Sequence, residues 1–109
     1  MSDIIKLVSG DTGPTITLTL TDEVTGDVID VSAVTTTVYL KFRASGTTTL
    51  LDTITCAKVD GAAGIVSFDF TGGVLDVDAG LYEGEIEIDF NGATQTLWEP
   101  MKFRVRDEF

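Results

Sequence analysis

Thr15-Ile16-Thr17-Leu18-Thr19-Leu20-Thr21 runs directly into Asp22-Glu23-Val24-Thr25-Gly26-Asp27, and this stretch decides the fold class. Strict alternation over seven residues would scatter Ile16, Leu18 and Leu20 around a helix. In a strand it sets all three on one face and the threonines on the other. The polar, glycine-closed stretch that follows reads as a turn, and Val28-Ile29-Asp30-Val31 as the next short strand. The chain therefore reads as all-β from its first thirty residues.

The same logic extends in both directions. Upstream, Ile4, Ile5, Leu7 and Val8 form a first strand, ended by the loop Ser9-Gly10-Asp11-Thr12-Gly13-Pro14. Pro14 opens the next strand, where a missing N–H does least harm. Downstream, Val34, Thr36, Val38, Leu40 and Phe42 alternate with Thr35, Thr37, Tyr39, Lys41 and Arg43, predicting a strand over Val34–Arg43. Thr47–Lys58 reads as the following strand, and Val66, Phe68 and Phe70 as the inward face of another, with Phe68 at its centre. The connection Gly72–Gly80 carries Leu75 and Val77, expected to tuck into the open end of a sandwich.

Tyr82, Ile86, Ile88 and Phe90 are expected to face inward, with Glu83, Glu85, Glu87 and Asp89 outward. Asn91-Gly92 is the strongest hairpin signal, because a type I′ turn needs positive φ at both positions. A two-residue turn pairs Asp89 with Thr94, Glu87 with Thr96, Glu85 with Trp98 and Leu81 with Lys102. The last strand, broken at Pro100, turns Met101, Phe103 and Val105 inward. Seven to eight short strands with turn signals at about ten-residue spacing describe an antiparallel sandwich. An immunoglobulin-like β-sandwich over residues 1–109 is the expected fold, with a small Greek-key β-barrel as the alternative.

Composition narrows the chemistry. The 109 residues suit one domain, and 43% hydrophobic content supplies a core without a metal or disulfide staple. Met1 precedes Ser-Asp with neither a basic nor an apolar signal region, so synthesis in a cytoplasm is expected. No apolar run approaches a membrane span, so no membrane partner is expected. The chain has no histidine, which removes Ser-His and Cys-His nucleophilic pairs and the commonest zinc ligand. Cys56 is alone and reads as a small buried hydrophobe. A net charge of −11 with no basic cluster argues against nucleic acid. Lys102, Arg104 and Arg106 share one strand face and read as counter-charges for neighbouring carboxylates. No enzyme activity and no cofactor are expected.

The candidate sites are surfaces. The ladder Glu83, Glu85, Glu87 and Asp89 places carboxylates about 7 Å apart along one face. It reads either as a solvated outer face or as a contact for a basic partner, and is expected to stay wet because desolvating it is costly. Asp22, Glu23, Asp27 and Asp30 could offer oxygens to Ca²⁺, but turn aspartates commonly cap their own backbone. Val74 and Leu75 in the Gly72–Gly80 loop, the outward Tyr39, and Trp98, the sole tryptophan, are the candidate interface residues. Trp98, Tyr39 and Tyr82 are also the candidates for the aromatic platform of a carbohydrate-binding module, the alternative functional reading, with Tyr39 expected exposed and Tyr82 not.

In order and spacing, several of these pieces resemble a known family. They are Gly10-Asp11-Thr12-Gly13-Pro14 before the Thr/Leu strand, then Thr21-Asp22, Thr25-Gly26 and Ile29-Asp30-Val31-Ser32. Lys41-Phe42-Arg43, Gly64-Ile65-Val66-Ser67-Phe68, Ala79-Gly80-Leu81-Tyr82-Glu83-Gly84-Glu85-Ile86-Glu87 and Phe103-Arg104-Val105-Arg106 complete the set. Over residues 4 to 107 the chain resembles the N-terminal-type domain of phage baseplate upper proteins, a small immunoglobulin-like sandwich of tailed-phage virions. The resemblance implies a non-enzymatic structural or accessory subunit on the tail, baseplate or capsid surface. Its implied partners are other virion structural proteins, with homo-oligomerisation in the particle a further expectation. The family's members often carry further domains, whereas this sequence ends at Phe109, so the expectation is an accessory subunit standing alone.

Overall fold

A computed structural model describes residues 4–97 and 100–108. Its strands are β1 (Ile4–Val8), β2 (Thr15–Thr19), β3 (Thr37–Ala44), β4 (Leu50–Thr55), β5 (Ala57–Asp60), β6 (Ile65–Asp69), β7 (Gly80–Asp89), β8 (Thr94–Thr96) and β9 (Met101–Arg106). One sheet has the order β1-β9-β7-β3-β4, with β8 beside the second half of β7. The other has the order β2-β6-β5. The two sheets pack as an immunoglobulin-like sandwich and do not close into a barrel.

Alternation does what the sequence predicts. Val38, Leu40 and Phe42 of β3, Ile86 and Ile88 of β7, and Phe103 and Val105 of β9 are buried against Val66 and Phe68 of β6. Phe103 is the hub, its ring 5.7 Å from Phe42, 6.5 Å from Phe68 and 6.1 Å from Phe70. Burying each such side chain contributes about 1.5–3 kcal/mol. Gly84 has a packing reason: a Cβ there would come within 2.6 Å of Leu40 and 2.8 Å of Phe103. Tyr82 enters the core beside Phe42 (ring centroids 5.2 Å apart), and its hydroxyl donates to the Asp78 carbonyl at 2.6 Å. A tyrosine at a strand start reaching back to upstream backbone is a corner device of such sandwiches.

Several expectations are corrected. β1 runs parallel to β9, so the larger sheet is mixed rather than antiparallel. Parallel neighbours need a long crossover, and here the whole intervening chain supplies it. The strand predicted from Val34 begins at Thr37; Val34 is 97% exposed in a turn closed by the Thr36 amide donating to Ala33. The single strand predicted over Thr47–Lys58 is two, in different sheets: β4 pairs with β3 and β5 with β6. The chain changes sheets at buried Cys56, whose amide donates to Val38 of β3 at 2.8 Å. Val28–Val31 makes only a bridge, Thr21 to Val28, rather than a strand.

The Asn91-Gly92 hairpin forms, with φ of 62° and 137° and the Phe90 amide donating to Ala93 at 2.8 Å. Asp89 pairs with Thr94 and Glu87 with Thr96, as the turn predicts. Beyond Thr96 the register slips by two residues, so Leu81 faces Arg104 and Lys102 faces Glu83. The two registers differ between the pairing that ends at Thr96 and the one that begins at Met101, and Pro100 before Met101 has no N–H to give a ladder. The predicted Glu85–Trp98 pair lies outside the described residues. Gly92→Val should cost roughly 1–2 kcal/mol, because a β-branched residue is strained at positive φ. A lowered urea midpoint with unchanged slope would bear this out; an unchanged midpoint would not.

Candidate functional site

The outer face of the larger sheet carries most of the chain's cations. Lys6 on β1, Lys41 and Arg43 on β3, and Lys102, Arg104 and Arg106 on β9 all alternate with core residues and so point away from the core. On the β3 side Lys41 lies opposite Glu85 and Arg43 opposite Glu83, and on the β9 side Lys102 lies opposite Glu83. Lys41 pairs with Glu87 at 2.8 Å, and Arg43 with Glu83 at 3.5 Å. The ladder is half-buried: Glu83 lies between Arg43 and Lys102, whereas Glu87 lies between Tyr39 and Thr96 and Asp89 between Thr37 and Thr94. Both pairs are partly exposed, worth about 0–1 kcal/mol each.

The far side of β9 has a different character. Lys6 lies directly across from Arg104 in the β1–β9 ladder, and on its other side Arg104 faces Leu81. Like charges directly opposite are unfavourable. Among the described residues, Lys6, Lys102 and Arg104 form no ion pair. Beside them is a shallow depression of about 240 Å³ whose walls include Ile4, Leu81, Lys102 and Glu83, the last paired with Arg43. Ile4 and Leu81 are 45% and 53% exposed. The sequence carried part of this signal, in the shared face of Lys102, Arg104 and Arg106. It did not show that Lys6 and Ile4 complete the strip, because a parallel pairing between the two ends of the chain leaves no local mark.

The predicted interface residues fare differently. Val74 is 6% exposed and Leu75 is fully buried, so neither offers a docking surface. They plug the end of the sandwich, where the Leu75 carbonyl accepts from the Gly10 amide at 2.8 Å and the Val77 carbonyl from the Ser9 hydroxyl at 2.8 Å. The physical reason is burial: an apolar pair in the loop linking the two sheets gains more by closing the core than by facing water. Tyr39 is half-buried on the outer face, across from Glu87. Trp98 lies outside the described residues. Tyr82 is in the core, so it and Tyr39 form no common aromatic platform.

The acidic turn is organised by its own backbone. Asp22 accepts from the Val24 amide at 2.8 Å and the Thr25 amide at 3.2 Å. Asp30 accepts from the Ser32 amide at 2.8 Å, and bonds from the Ser32 side chain and amide hold its carboxyl below the usual range. Among the described residues, no group of three metal-ligating side chains is gathered. Elsewhere an open groove of about 350 Å³ runs past the β4 edge, lined by Asp52, Thr53, Thr55, Ser67 and Asp69 among others.

A solved phage domain shares this fold. It is the N-terminal domain of phage TP901-1 ORF48, similar with a TM-score of 0.62 at 13% identity, over 98% of this chain and 86% of that one. No family model matches the sequence, and no curated protein matches it. At this identity, the likeness to the phage domain is one of fold.

Cys56 shows how the core controls reactivity. Its burial pushes the thiol up to about 11, and only the thiolate reacts. Alkylation at pH 8 should be roughly 100-fold slower or more in the folded protein than in denaturant. Equal rates in the two states would place the thiol at the surface.

Proposed function

We propose that this chain is a structural component of a tailed-phage virion that works by docking on other virion proteins. One observation carries the reading: nearly the whole chain shares its fold with a phage protein domain. The residue-level resemblance to baseplate upper proteins points the same way and favours the baseplate. A docking role also suits the chemistry present. The chain has no histidine, and its one thiol is buried. Its outer surface instead offers a banded pattern of charge with exposed apolar residues, which suits recognition of protein surfaces. Mass spectrometry of purified virions tests the proposal. The chain should appear in particles at a fixed ratio to the tail proteins; presence only in infected-cell lysate would refute it.

A further inference from the structure

We propose that the basic strip on β1 and β9 receives the acidic turn of a second copy of this chain, with Val24 entering the depression between Ile4 and Leu81. The two surfaces are complementary in charge and in apolar content. The strip presents Lys6, Lys102 and Arg104, none ion-paired among the described residues, around exposed Ile4 and Leu81. The turn presents the exposed carboxylate of Asp27, and the half-buried Asp22 whose Oδ1 also accepts from the Val24 and Thr25 amides, around Val24, which is 95% exposed. An almost wholly exposed valine at the tip of this turn is a knob without a socket among the described residues.

The topology sets the two surfaces apart, so one copy cannot satisfy itself. β9 pairs with the first half of β7, next to Gly80. The acidic turn follows β2, whose last residue Thr19 pairs with Ile65 at the start of β6. That start lies at the Asp89 end of the sandwich, because β6 leads back through the 70–80 loop to Gly80. Ten residues of β7 separate the ends by about 33 Å, in a molecule 42 Å long. Asp11, Asp76 and Asp78 occupy loops at the basic end, and Asp107 and Glu108 follow Arg106, yet none of them ion-pairs with Lys6, Lys102 or Arg104. A contact between unlike patches is head-to-tail, and it builds a ring if the rotation closes and a filament if it does not.

Sedimentation velocity on the purified chain tests this at about 0.15 M salt. There the Debye length of about 8 Å screens whole-molecule repulsion but leaves contact-distance pairs strong. The parent should gain mass with concentration. Val24→Asp and Arg104→Glu, both at exposed positions, should each remain monomeric with an unchanged melting curve. Mixed together, they should form one-to-one pairs that grow no further, because each retains the surface the other lacks. A parent that stays monomeric, variants that assemble like the parent, or a mixture that does not pair would each overturn the proposal. The test uses purified protein alone, so its failure would leave the virion reading standing, and absence from particles would not touch it.

Discussion

Leu75→Asp should unfold the domain. Leu75 is fully buried at the closed end of the sandwich, and its carbonyl holds the Gly10 amide. Truncating a buried leucine costs roughly 2–5 kcal/mol. The new carboxyl adds the expense of a polar group without a partner, several kcal/mol more if it ionises. The sum is comparable to the 5–15 kcal/mol that holds a typical domain together. The pH dependence has a definite sign. An apolar site raises the folded-state pKa of the aspartate above its unfolded value of about 3.9. The difference from the parent should therefore be smallest near pH 4 and grow as pH rises. Leu75→Met, close in volume, should stay folded. Circular dichroism melts of both variants at two pH values would check this. A cooperative melt of the aspartate variant at the parent temperature would mean that the loop opens freely and that Leu75 is available for docking after all.

Phe103→Ala should destabilise by roughly 3–5 kcal/mol. Phe103 is fully buried and touches the rings of Phe42, Phe68 and Phe70, so its loss opens a cavity that both sheets would have to collapse to fill. At about 4 °C or more per kcal/mol for a domain of this size, the melting point should fall by well over 10 °C. Lys102→Ala, one residue away on the opposite face of β9, should change stability by no more than about 0.5 kcal/mol. A large effect at Lys102 with a small one at Phe103 would mean that β9 is turned over.

How much of this was legible beforehand depends on the distance over which each feature is specified. The period-2 runs around Ile16, Val38, Val66, Ile86 and Phe103 announced strands and their inward faces, because side-chain direction in a strand is a property of adjacent residues. Asn91-Gly92 announced its hairpin for the same reason, since positive φ is a local requirement. The absence of histidine and the lone Cys56 bounded the chemistry by composition alone.

What the sequence left open was decided by contacts between distant residues. Nothing local to Thr53–Lys58 says that the chain leaves one sheet at Cys56 and joins the other. Neither Lys41 nor Glu87 reveals its partner 46 residues away. Val34 continues the alternation of β3 in sequence, but a turn at Ala33–Thr36 takes it out of the sheet. The pairing of β1 with β9 joins the two ends of the chain, and it alone assembles Lys6, Arg104, Ile4 and Leu81 into one surface. Val74 and Leu75 could have faced water or the core with the same neighbours along the chain. The open end of the sandwich made the choice, because filling it removes apolar surface from water. Local patterning therefore determined which residues face inward, and closure of the two sheets over a shared core determined which surfaces remained outside for recognition.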